Sequence, residues 1–368
     1  MTTICFLVAS LEPGGTENYL LRFLEYADTS IESVVISKSG KLGVLYPKYK
    51  NLKNVSIIPL KTGYLNIFSW IRIYLIYKKK HIDTVCDLTS NFGGIYLFLA
   101  KIAGIKKRVS FYRQSSNHFK ESFLRLLYNK LVNRLVFKYA TRILFNSKTA
   151  ISFFFPYSKK KDSRFEIILN GLETNLYLKQ YNVVNIKQKI GIPEDSFIIG
   201  HTGRFNEAKN HKTILTVAEK LCNKHDDIYF VLCGRDTDSE ELTSLISKKG
   251  LKNRIIQLGY RADIPKILKS FDLFYFPSIT EGQPNSLIEA MVSGIPVVAS
   301  DIEPVKDSVP EFIYSYLTPP LEDEQAIKLI ERLYKTKDFA IFSKAQTWAI
   351  KKYDHKIRFK QFLDILIS

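Results

Sequence analysis

Short runs of apolar residues alternate along this chain with longer segments in which apolar residues recur every three or four positions. Such runs are typical of buried parallel strands, and the longer spacing is typical of the helices that connect them. The runs of the first half lie at residues 3–10, 33–37, 55–60, 83–88, 108–112, 142–146 and 166–169. Those of the second half lie at residues 197–202, 229–234, 255–259, 273–277 and 295–299. The alternation predicts parallel sheets covered by helices, which is the doubly wound α/β architecture.

The length and the charge pattern divide the chain into two parts. A chain of 368 residues suits two domains of about 170 residues better than one. The balance of charge changes near residues 169–175, where we expect the hinge. We therefore predict a first domain over residues 1–171 and a second over residues 172–347. The remaining segment, residues 348–368, has the spacing of an amphipathic helix.

One stretch, residues 277–301, has the sequence PSITEGQPNSLIEAMVSGIPVVASD and connects two predicted strands. A loop with glycine and proline precedes a helix that we expect to begin near Ser286, with Asn285 or Ser286 as its cap, and to end at Gly294. A strand end, a tight loop and a helix N-terminus present backbone N–H groups and the positive end of the helix dipole. The N–H groups near Ser286 and Leu287 are therefore predicted to bind a phosphate or a cluster of sugar hydroxyls.

Two carboxylates of this stretch, Glu281 in the loop and Glu289 in the helix, are eight residues apart. A carboxylate accepts paired hydrogen bonds from vicinal hydroxyls, and both a hexose and a ribose offer such pairs. The alternative is that Glu281 is a solvated loop residue and that Glu289 is an ordinary helix residue.

Two cations, Arg204 and Lys209, follow the first strand of the second half within GRFNEAKNH, residues 203–211. Around a turn they can converge on one diphosphate and neutralise the charge that develops as it leaves. Basic residues are abundant in this chain, so the spacing alone does not distinguish such a site from a solvated loop.

Two loops of the first half carry further candidates. Gly14 and Gly15 follow the first strand, where glycine lets a ligand approach the backbone closely, and Glu17 falls in the next helical turn. This turn lacks the GxGxxG pattern of dinucleotide-binding folds. Arg113 and His118 lie at the end of another strand, where a guanidinium can bind a phosphate and an imidazole can bond a sugar or an acceptor. A plain turn and an exposed histidine are the alternatives.

With EGxPxxLxEAM and GxPVVA in place, residues 277–301 resemble the Glu-x7-Glu signature of the family 4 retaining glycosyltransferases, also called glycosyl transferases group 1. Arg204 and Lys209 are similar to the cationic pair of that family, and Asn170–Gly171 to its interdomain turn. The resemblance covers nearly the whole chain, weakly in the first half. It implies the GT-B fold, in which two Rossmann-like domains face each other across a cleft, with residues 348–368 crossing back onto the first domain.

The resemblance also implies roles for the candidate residues. A nucleotide-diphosphate sugar, linked to UDP or GDP, would be the co-substrate in the second domain, and the acceptor would bind the first. The residues expected at the donor are Gly15, Arg204, Lys209, Tyr260, Arg261, Asn285, Ser286, Leu287 and Glu289. The residues expected at the acceptor are Gly14, Glu17, Arg113 and His118. Those expected in catalysis are Glu281, Arg204, Lys209 and His118, with Glu281 binding the transferred sugar and Glu289 the ribose.

Some positions depart from the family or have a second interpretation. Many members carry a histidine at the strand end where this chain has Arg113, so either Arg113 or His118 is expected to serve there. Tyr260 and Arg261 follow a further strand and are expected to line the pocket for the base. The sequence RDTD at residues 235–238 contains a DxD of the kind that binds metal in the other major glycosyltransferase fold. It opens a polar surface helix, and the GT-B resemblance implies no essential metal and no other cofactor.

The net charge of +18 is unevenly distributed. Residues 1–170 hold 27 Lys and Arg against 10 Asp and Glu, whereas the rest of the chain holds 27 against 26. The basic first half predicts an anionic partner, either membrane phospholipid or nucleic acid. Residues 119–142 have the spacing of a basic amphipathic helix that can lie on an anionic bilayer, and the lysines at 78–80 and 159–161 add to this basic surface. A core-packed helix with a solvated basic face is the alternative, and the two are compatible.

Composition also bears on the cellular setting and on the function that we expect. No apolar run reaches the 18 or so residues that span a bilayer, and no signal-peptide pattern begins the chain, so we expect the cytoplasm. Four scattered cysteines fit reduced core residues. We predict a glycosyltransferase of cell-surface polysaccharide biosynthesis, peripheral on the inner face of the cytoplasmic membrane, that uses a lipid-linked glycan acceptor and binds no nucleic acid. A sugar-nucleotide hydrolase or epimerase of the same fold and a basic nucleic-acid-binding protein are the alternatives.

Overall fold

The computed structural model describes residues 1–63, 66–113, 123–156 and 162–368. The chain divides into two compact units, which we call unit 1 and unit 2. Unit 1 comprises residues 1–171 and 355–368, and unit 2 comprises residues 172–354. Each unit contains one parallel sheet with helices packed against it, so the predicted doubly wound α/β architecture is confirmed.

Unit 1 contains a seven-stranded sheet. Its strands are β1 Thr2–Val8, β2 Ile31–Ser37, β3 Val55–Pro59, β4 Thr84–Asp87, β5 Lys107–Tyr112, β6 Arg142–Phe145 and β7 Phe165–Ile167. Its helices up to residue 171 are α1 Gly15–Ala27, α2 Tyr46–Lys50, α3 Ile67–Lys79, α4 Gly94–Ile102, α5 Phe123–Tyr139 and α6 Lys148–Phe154. The strand order β3-β2-β1-β4-β5-β6-β7 reverses between β1 and β4, and ligands of such sheets bind where the order reverses.

Unit 2 contains a six-stranded sheet. Its strands are β8 Phe197–Thr202, β9 Ile228–Cys233, β10 Ile255–Gln257, β11 Leu273–Phe276, β12 Val297–Ser300 and β13 Leu317–Thr318. Its helices are α7 Thr174–Leu178, α8 Val183–Lys189, α9 His211–Lys224, α10 Glu240–Lys248, α11 Ile264–Leu268, α12 Asn285–Val292, α13 Glu303–Lys306, α14 Asp323–Thr336 and α15 Ala340–Tyr353. The order β10-β9-β8-β11-β12-β13 reverses between β8 and β11. The loops that follow these two strands are therefore the expected place for a ligand.

The central strand β1 shows why an apolar run becomes a buried parallel strand. It pairs in parallel with β2 on one side and with β4 on the other. Ile4, Phe6 and Val8 pack on the face that α1 covers, and Cys5 and Leu7 pack on the opposite face. Because helices cover both faces of the sheet, the side chains on either face of β1 are buried in a core. The strand therefore has no polar face.

The described part of helix α5 lies inside the stretch for which we predicted a basic amphipathic helix over residues 119–142, and it ends at Tyr139, three residues before the predicted end. Its buried residues include Val132 and Val136, whereas Leu127 and Leu131 are more than half exposed. The remaining start of the predicted helix and the lysines at 159–161 lie outside the described residues.

The C-terminal segment differs from the prediction. We expected one helix over residues 348–368 to cross back to the first domain, but α15 belongs to unit 2 through Tyr353. The Tyr353 hydroxyl donates to the Ser308 carbonyl at 2.8 Å, and the Tyr353 carbonyl accepts from the Leu172 amide at 2.8 Å. Only the last helix, α16 His355–Ile367, joins unit 1. The boundary at which the chain returns to unit 1 therefore lies between residues 354 and 355 instead of between residues 347 and 348.

Helix α16 completes an aromatic cluster on α1. The ring of Phe362 lies 4.6 Å from that of Phe23, and the ring of Phe359 lies 5.4 Å from that of Tyr19, as centroid distances. Both phenylalanines of α16 are buried. The apolar face of α1 is thus covered by the final residues of the chain.

Two observations bear on the setting of the chain. Among the helices that the structure describes, none combines the length and the apolar character needed to cross a bilayer. The four cysteines are buried as free thiols, and burial raises the pKa of Cys222 to about 11.

We predict that Phe362→Ala lowers the free energy of unfolding of unit 1 by about 3–5 kcal/mol, because it removes a large buried ring and leaves a cavity. Each unit contains one of the two tryptophans, Trp70 in α3 and Trp348 in α15. In a Trp348→Phe background, the emission of Trp70 during denaturant unfolding therefore reports on unit 1.

The matched control is Ile367→Ala on the same helix, where the side chain is 46% exposed. We expect this control to change the stability by less than about 1 kcal/mol. An equal loss in the two variants would contradict the assignment of α16 to the core of unit 1.

Candidate active site

The most informative contact of unit 2 is an ion pair between Lys209 and Glu281. The Lys209 Nζ lies 2.5 Å from the Glu281 Oε1, and the two side chains are only 19% and 10% exposed. The ammonium group also lies 4.9 Å from the centroid of the Phe276 ring. Lys209 follows β8 and Glu281 follows β11, so the sheet order brings together two residues that are 72 positions apart. A cation and a carboxylate therefore meet where the strand order reverses.

The two loops that carry this pair are tied to each other through Asn210. Its backbone is left-handed, with φ of 56°. Its side-chain amide donates to the Pro277 carbonyl at 3.2 Å and to the Pro320 carbonyl at 2.7 Å. The Ile279 amide returns a hydrogen bond to the Ala208 carbonyl at 2.8 Å. These bonds fix the position of Lys209 relative to Glu281.

Glycine is required beside Lys209. A Cβ on Gly203 would lie 2.8 Å from the His201 Nε2 and 3.2 Å from the Lys209 Cδ. A Cβ on Gly234, after the neighbouring strand β9, would lie 2.2 Å from the Gly203 carbonyl oxygen. Since neither position has room for a side chain, the ends of β8 and β9 pack closely under Lys209.

Arg204 differs from Lys209 in its surroundings. Its side chain is exposed, and no ion pair involves it within the described parts of the chain. The structure therefore places the two predicted cations on one loop but in different states, with Lys209 paired and Arg204 directed to solvent.

Helix α12 begins one residue earlier than predicted and is capped differently. It spans Asn285–Val292, and Pro284 occupies the N-cap without a side-chain cap bond, so the expected cap by Asn285 or Ser286 is wrong. The first helical bond runs from the Ile288 amide to the Pro284 carbonyl at 3.1 Å. The N–H groups of Ser286 and Leu287 therefore precede that bond and point toward the loop.

The side chains of α12 separate into buried and accessible positions. Leu287 is fully buried, so only its backbone can reach a ligand. Ser286 and Glu289 are half-buried, and Glu289 lies one turn into the helix. The helix ends at Val292, two residues before the predicted end, and Gly294 beyond it is left-handed at φ of 81°.

Tyr260 and Arg261, the residues predicted for the base, lie on the loop after the edge strand β10. Tyr260 is 70% exposed. Arg261 donates from Nε and Nη2 to the two carboxylate oxygens of Asp263, both at 2.8 Å, and this contact lowers the pKa of Asp263. The Gly259 carbonyl accepts from the Gly234 amide at 2.8 Å, which joins this loop to the end of β9. Arg261 is thus held by a local carboxylate.

The DxD sequence has a structural role in the fold. Asp236 adopts a left-handed backbone with φ of 63°, and the carboxylate of Asp238 lies against Gly259. Across the described residues, no three His, Cys, Asp or Glu side chains are grouped as a metal site would require.

Two buried histidines near Lys209 were not predicted from the sequence. The rings of His201 and His211 lie 5.1 Å apart, and the His201 Nδ1 is 3.0 Å from the Tyr275 carbonyl oxygen. Burial lowers both pKa values, that of His211 to about 4, and the charge of Lys209 adds to the effect. Both rings are therefore neutral at pH 7. His201 lies in an apolar strand and His211 at the start of a helix, so the sequence did not indicate that the two rings would lie together.

The candidates of unit 1 gather around Arg113. Its Nη2 donates to the Asn170 Oδ1 at 2.6 Å, and its Cζ lies 3.5 Å from the centroid of the Tyr19 ring. Burial lowers the pKa of Arg113 to about 10. Burial raises the pKa of Glu17, and the nearby charge of Arg113 opposes that shift. The structure therefore brings Arg113 and Glu17 together, with Asn170 of the predicted interdomain turn.

The two glycines before Glu17 have different surroundings. Gly14 is the N-cap of α1, and a Cβ there would lie 2.3 Å from the Glu17 Oε2. Gly15 faces open space, so a side chain would fit at that position. His118 lies outside the described residues.

A second polar cluster of unit 1 was also missed. The Lys38 Nζ donates to the Thr89 Oγ1 at 2.8 Å, and the Thr89 hydroxyl donates to the Asp87 Oδ1 at 2.8 Å. Burial raises the pKa of Asp87 and lowers that of Lys38 to about 8. These residues follow β2 and β4, so only the sheet order joins them.

Comparison with known proteins agrees with this geometry. Residues 183–352, which lie in unit 2, match the family described as glycosyl transferases group 1. The chain is 30% identical to the putative glycosyltransferase EpsF of Bacillus subtilis, over 56% of this chain and 54% of the relative. It is 28% identical to an Escherichia coli protein named UDP-Gal:alpha-D-GlcNAc-diphosphoundecaprenol alpha-1,3-galactosyltransferase, over 68% and 64%. The chain thus matches between half and two thirds of these two relatives.

Solved structures show the same fold. The Anabaena protein Alr3699/HepE, crystallised with UDP and glucose, superimposes with a TM-score of 0.84 at 22% identity, over 100% of this chain and 99% of that one. WaaG, a glycosyltransferase involved in lipopolysaccharide biosynthesis, superimposes with a TM-score of 0.78 at 16% identity, over 99% and 100%. The chain therefore has the GT-B fold that the sequence resemblance predicted.

We predict that Lys209 and Glu281 stabilise unit 2 cooperatively. In a double-mutant cycle of Lys209→Met and Glu281→Gln, the coupling energy should be about 1–3 kcal/mol, because either single change leaves its partner in a partly buried place without a counter-charge. Denaturant unfolding followed by Trp348 emission in a Trp70→Phe background measures it. The matched cycle on the more exposed pair of Arg261 and Asp263 should give less than about 1 kcal/mol. Equal coupling energies in the two cycles would contradict the conclusion that Lys209 and Glu281 form a partly buried ion pair.

We also predict that His211 makes unit 2 less stable in acid. The pKa of His211 falls from 6.5 in the unfolded chain to about 4 in the fold. The neutral ring therefore contributes stability that is fully present above pH 6.5 and is lost as the pH falls toward 4, up to about 3 kcal/mol. The same Trp348 measurement at several pH values should show a shallower acid slope for His211→Asn than for the parent. If the stability of the parent and that of His211→Asn changed equally with pH, His211 would not be buried in its neutral form.

Proposed function

We propose that this chain is a retaining glycosyltransferase that moves a sugar from a nucleotide-diphosphate donor to a lipid-linked glycan in cell-surface polysaccharide biosynthesis. The observation that supports this most directly is the pairing of Lys209 with Glu281 at the reversal of the strand order of unit 2. A cation suited to phosphate and a carboxylate suited to sugar hydroxyls thereby occupy one place. The E. coli relative, which is named for a UDP-linked donor and a diphosphoundecaprenol acceptor, supports the substrate classes.

The donor diphosphate would bind across the loop after β8 and the start of α12. Arg204 is exposed there, and a lysine ammonium has three N–H donors. Lys209 can therefore keep its bond to Glu281 and still donate to a phosphate oxygen. The N–H groups of Ser286 and Leu287 add the positive end of a helix dipole. Together these groups would stabilise the negative charge that grows on the leaving diphosphate.

The two carboxylates would hold hydroxyl groups. Glu281, fixed by Lys209, would bind hydroxyls of the transferred sugar, and Glu289, one turn into α12, would bind the ribose. Asn285 would help to hold the donor at the helix start, and Tyr260 would pack against the base. UDP or GDP serves equally well in this scheme.

Retention follows if the acceptor hydroxyl attacks the anomeric carbon on the face from which the diphosphate departs. The bond from the anomeric carbon to the diphosphate oxygen breaks with its electron pair on that oxygen. The acceptor proton passes to the leaving phosphate, and a new carbon–oxygen bond forms. No carboxylate needs to become covalently attached, so Glu281 can act by binding alone.

Unit 1 would bind the acceptor. Glu17 and Arg113, which the structure brings together, provide a carboxylate and a guanidinium near the end of β5. Gly14 leaves room for the Glu17 carboxylate at the start of α1, Gly15 would let the donor approach the backbone, and His118 completes the expected set. The basic character of residues 1–170 would place this unit on an anionic membrane at its cytoplasmic face.

We predict that Lys209→Ala lowers kcat by at least about 10²- to 10³-fold, since it removes a group that stabilises the leaving charge. Glu281→Gln should also lose most activity while unit 2 remains folded. The control is Lys212→Ala, an exposed lysine on the first turn of α9, which should keep near-normal activity. Near-normal transfer by both Lys209→Ala and Glu281→Gln would overturn the site.

The assay offers UDP- and GDP-linked hexoses with a short-chain polyprenyl-diphosphate glycan, and the products are identified by mass and by the configuration of the new bond. Transfer with the donor configuration kept is the expected result. Release of free sugar regardless of acceptor would identify a hydrolase, and conversion of the donor to its epimer would identify an epimerase. Either outcome would replace the proposed activity.

A further inference from the structure

The outer face of α3 is unusually apolar for a helix at a protein surface. Phe68 is 83% exposed, and Ile67, Ile71 and Leu75 are 60%, 52% and 43% exposed. These four positions lie on one side of the helix, because residues three, four and seven apart are neighbours on a helix surface. The opposite side, with Ile73, already fills the core of unit 1. Helix α3 is therefore apolar on both sides, whereas a helix facing water carries polar residues outside.

Cations surround this outer face. Arg72 lies between the apolar residues, and Lys78, Lys79 and Lys80 follow at the end of the helix, all of them exposed. The sequence contains no Asp or Glu from residue 61 to residue 82. The helix thus combines exposed apolar side chains with uncompensated positive charge, which is the pattern of helices that lie in a membrane interface.

Helix α5 extends the same surface. Helix α4 contacts both α3 and α5, and residues of all three helices pack on the sheet face that buries Cys5 and Leu7. Their outer sides therefore face the same way. On α5, Leu127 and Leu131 are 57% and 56% exposed, and the neighbouring Lys130 is exposed as well. Helices α3 and α5 therefore both contribute exposed apolar and basic side chains to one face of unit 1.

We infer that α3 is the element that inserts into an anionic lipid bilayer, with Phe68, Ile71 and Leu75 among the acyl chains and Arg72 and the lysines at 78–80 on lipid phosphates. The excess of 27 cations over 10 acids in residues 1–170 argues for this partner, because two such faces would repel each other in a dimer. The inference names the membrane contact of the proposed enzyme and rests on that proposal only for its biological setting.

The test uses the full chain and vesicles of phosphatidylcholine with phosphatidylglycerol, compared with vesicles of phosphatidylcholine alone, in a sedimentation assay. The variant Phe68→Ser/Ile71→Ser/Leu75→Ser should bind the anionic vesicles at least about tenfold more weakly. Replacement of the three lysines by serine should weaken binding by a similar factor and reduce its dependence on salt. The matched control is Leu321→Ser on unit 2, where the side chain is 71% exposed, and it should bind as the parent does.

Two further readouts identify the inserted element. In a Trp348→Phe background, Trp70 of α3 should shift its emission to shorter wavelength on anionic vesicles and be quenched by lipids that carry bromine on their acyl chains. Transfer to a short-chain acceptor free in solution should be unchanged in the serine variants. Loss of transfer in every assay with vesicle binding intact would refute the proposed function and leave this inference standing.

Four outcomes would overturn the inference. The parent chain could fail to bind anionic vesicles, or the α3 variant could bind them as well as the Leu321 control does. The third is that the parent is a dimer in solution and the α3 variant is a monomer with unchanged vesicle binding, which would assign the face to a second copy. The last is that an oligonucleotide competes strongly with vesicles for the apolar face and that the Phe68 variant loses this competition. That result would assign the face to nucleic acid and would refute the membrane contact.

Discussion

The candidate site depends on a lysine–glutamate ion pair held where two loops meet at the carboxyl edge of a parallel sheet. Removing two charges from water is unfavourable, so a partly buried pair persists only when its geometry is fixed from outside. Asn210 provides that constraint, because its left-handed backbone turns the loop and its amide binds two carbonyls of neighbouring loops. The ammonium and the carboxylate are thereby positioned before any ligand arrives, which is the arrangement that electrostatic catalysis requires.

The surroundings of this pair keep positive charge at the surface of the site. The close packing of Gly203 and Gly234 brings the strand ends together, and the rings of His201 and His211 lie buried beside Lys209. Burial lowers the pKa of both histidines, so the rings fill space without adding charge. The cations of this loop are Lys209, which is paired with Glu281, and the exposed Arg204. Lys209 is partly buried as well, and the ion pair with Glu281 compensates for the loss of water around its ammonium group.

Unit 1 uses one sheet to support two different surfaces. At the carboxyl ends of its strands, charged groups form internal contacts, as in the stacking of Arg113 on Tyr19 and the chain from Lys38 through Thr89 to Asp87. Along the helices on one face, Phe68 and Leu127 are exposed among lysines and arginines. The charge excess of the first half therefore includes both buried, partnered cations and exposed ones, and only the exposed ones are available to an anionic surface.

The sequence alone determined the succession of strands β1 to β12 along the chain and the first boundary at residue 171, and it indicated Lys209 and Glu281 as candidates, because these depend on local periodicity and on motifs within single loops. Tertiary structure decided that Lys209 and Glu281 touch, that Tyr353 keeps α15 in unit 2, and that Lys38 meets the Asp87 loop. Each is a contact between segments far apart in the chain, and its existence depends on strand order. Periodicity likewise showed that α3 is apolar but not that its outer side is left exposed by the described residues, since burial is a property of neighbours and not of the helix itself.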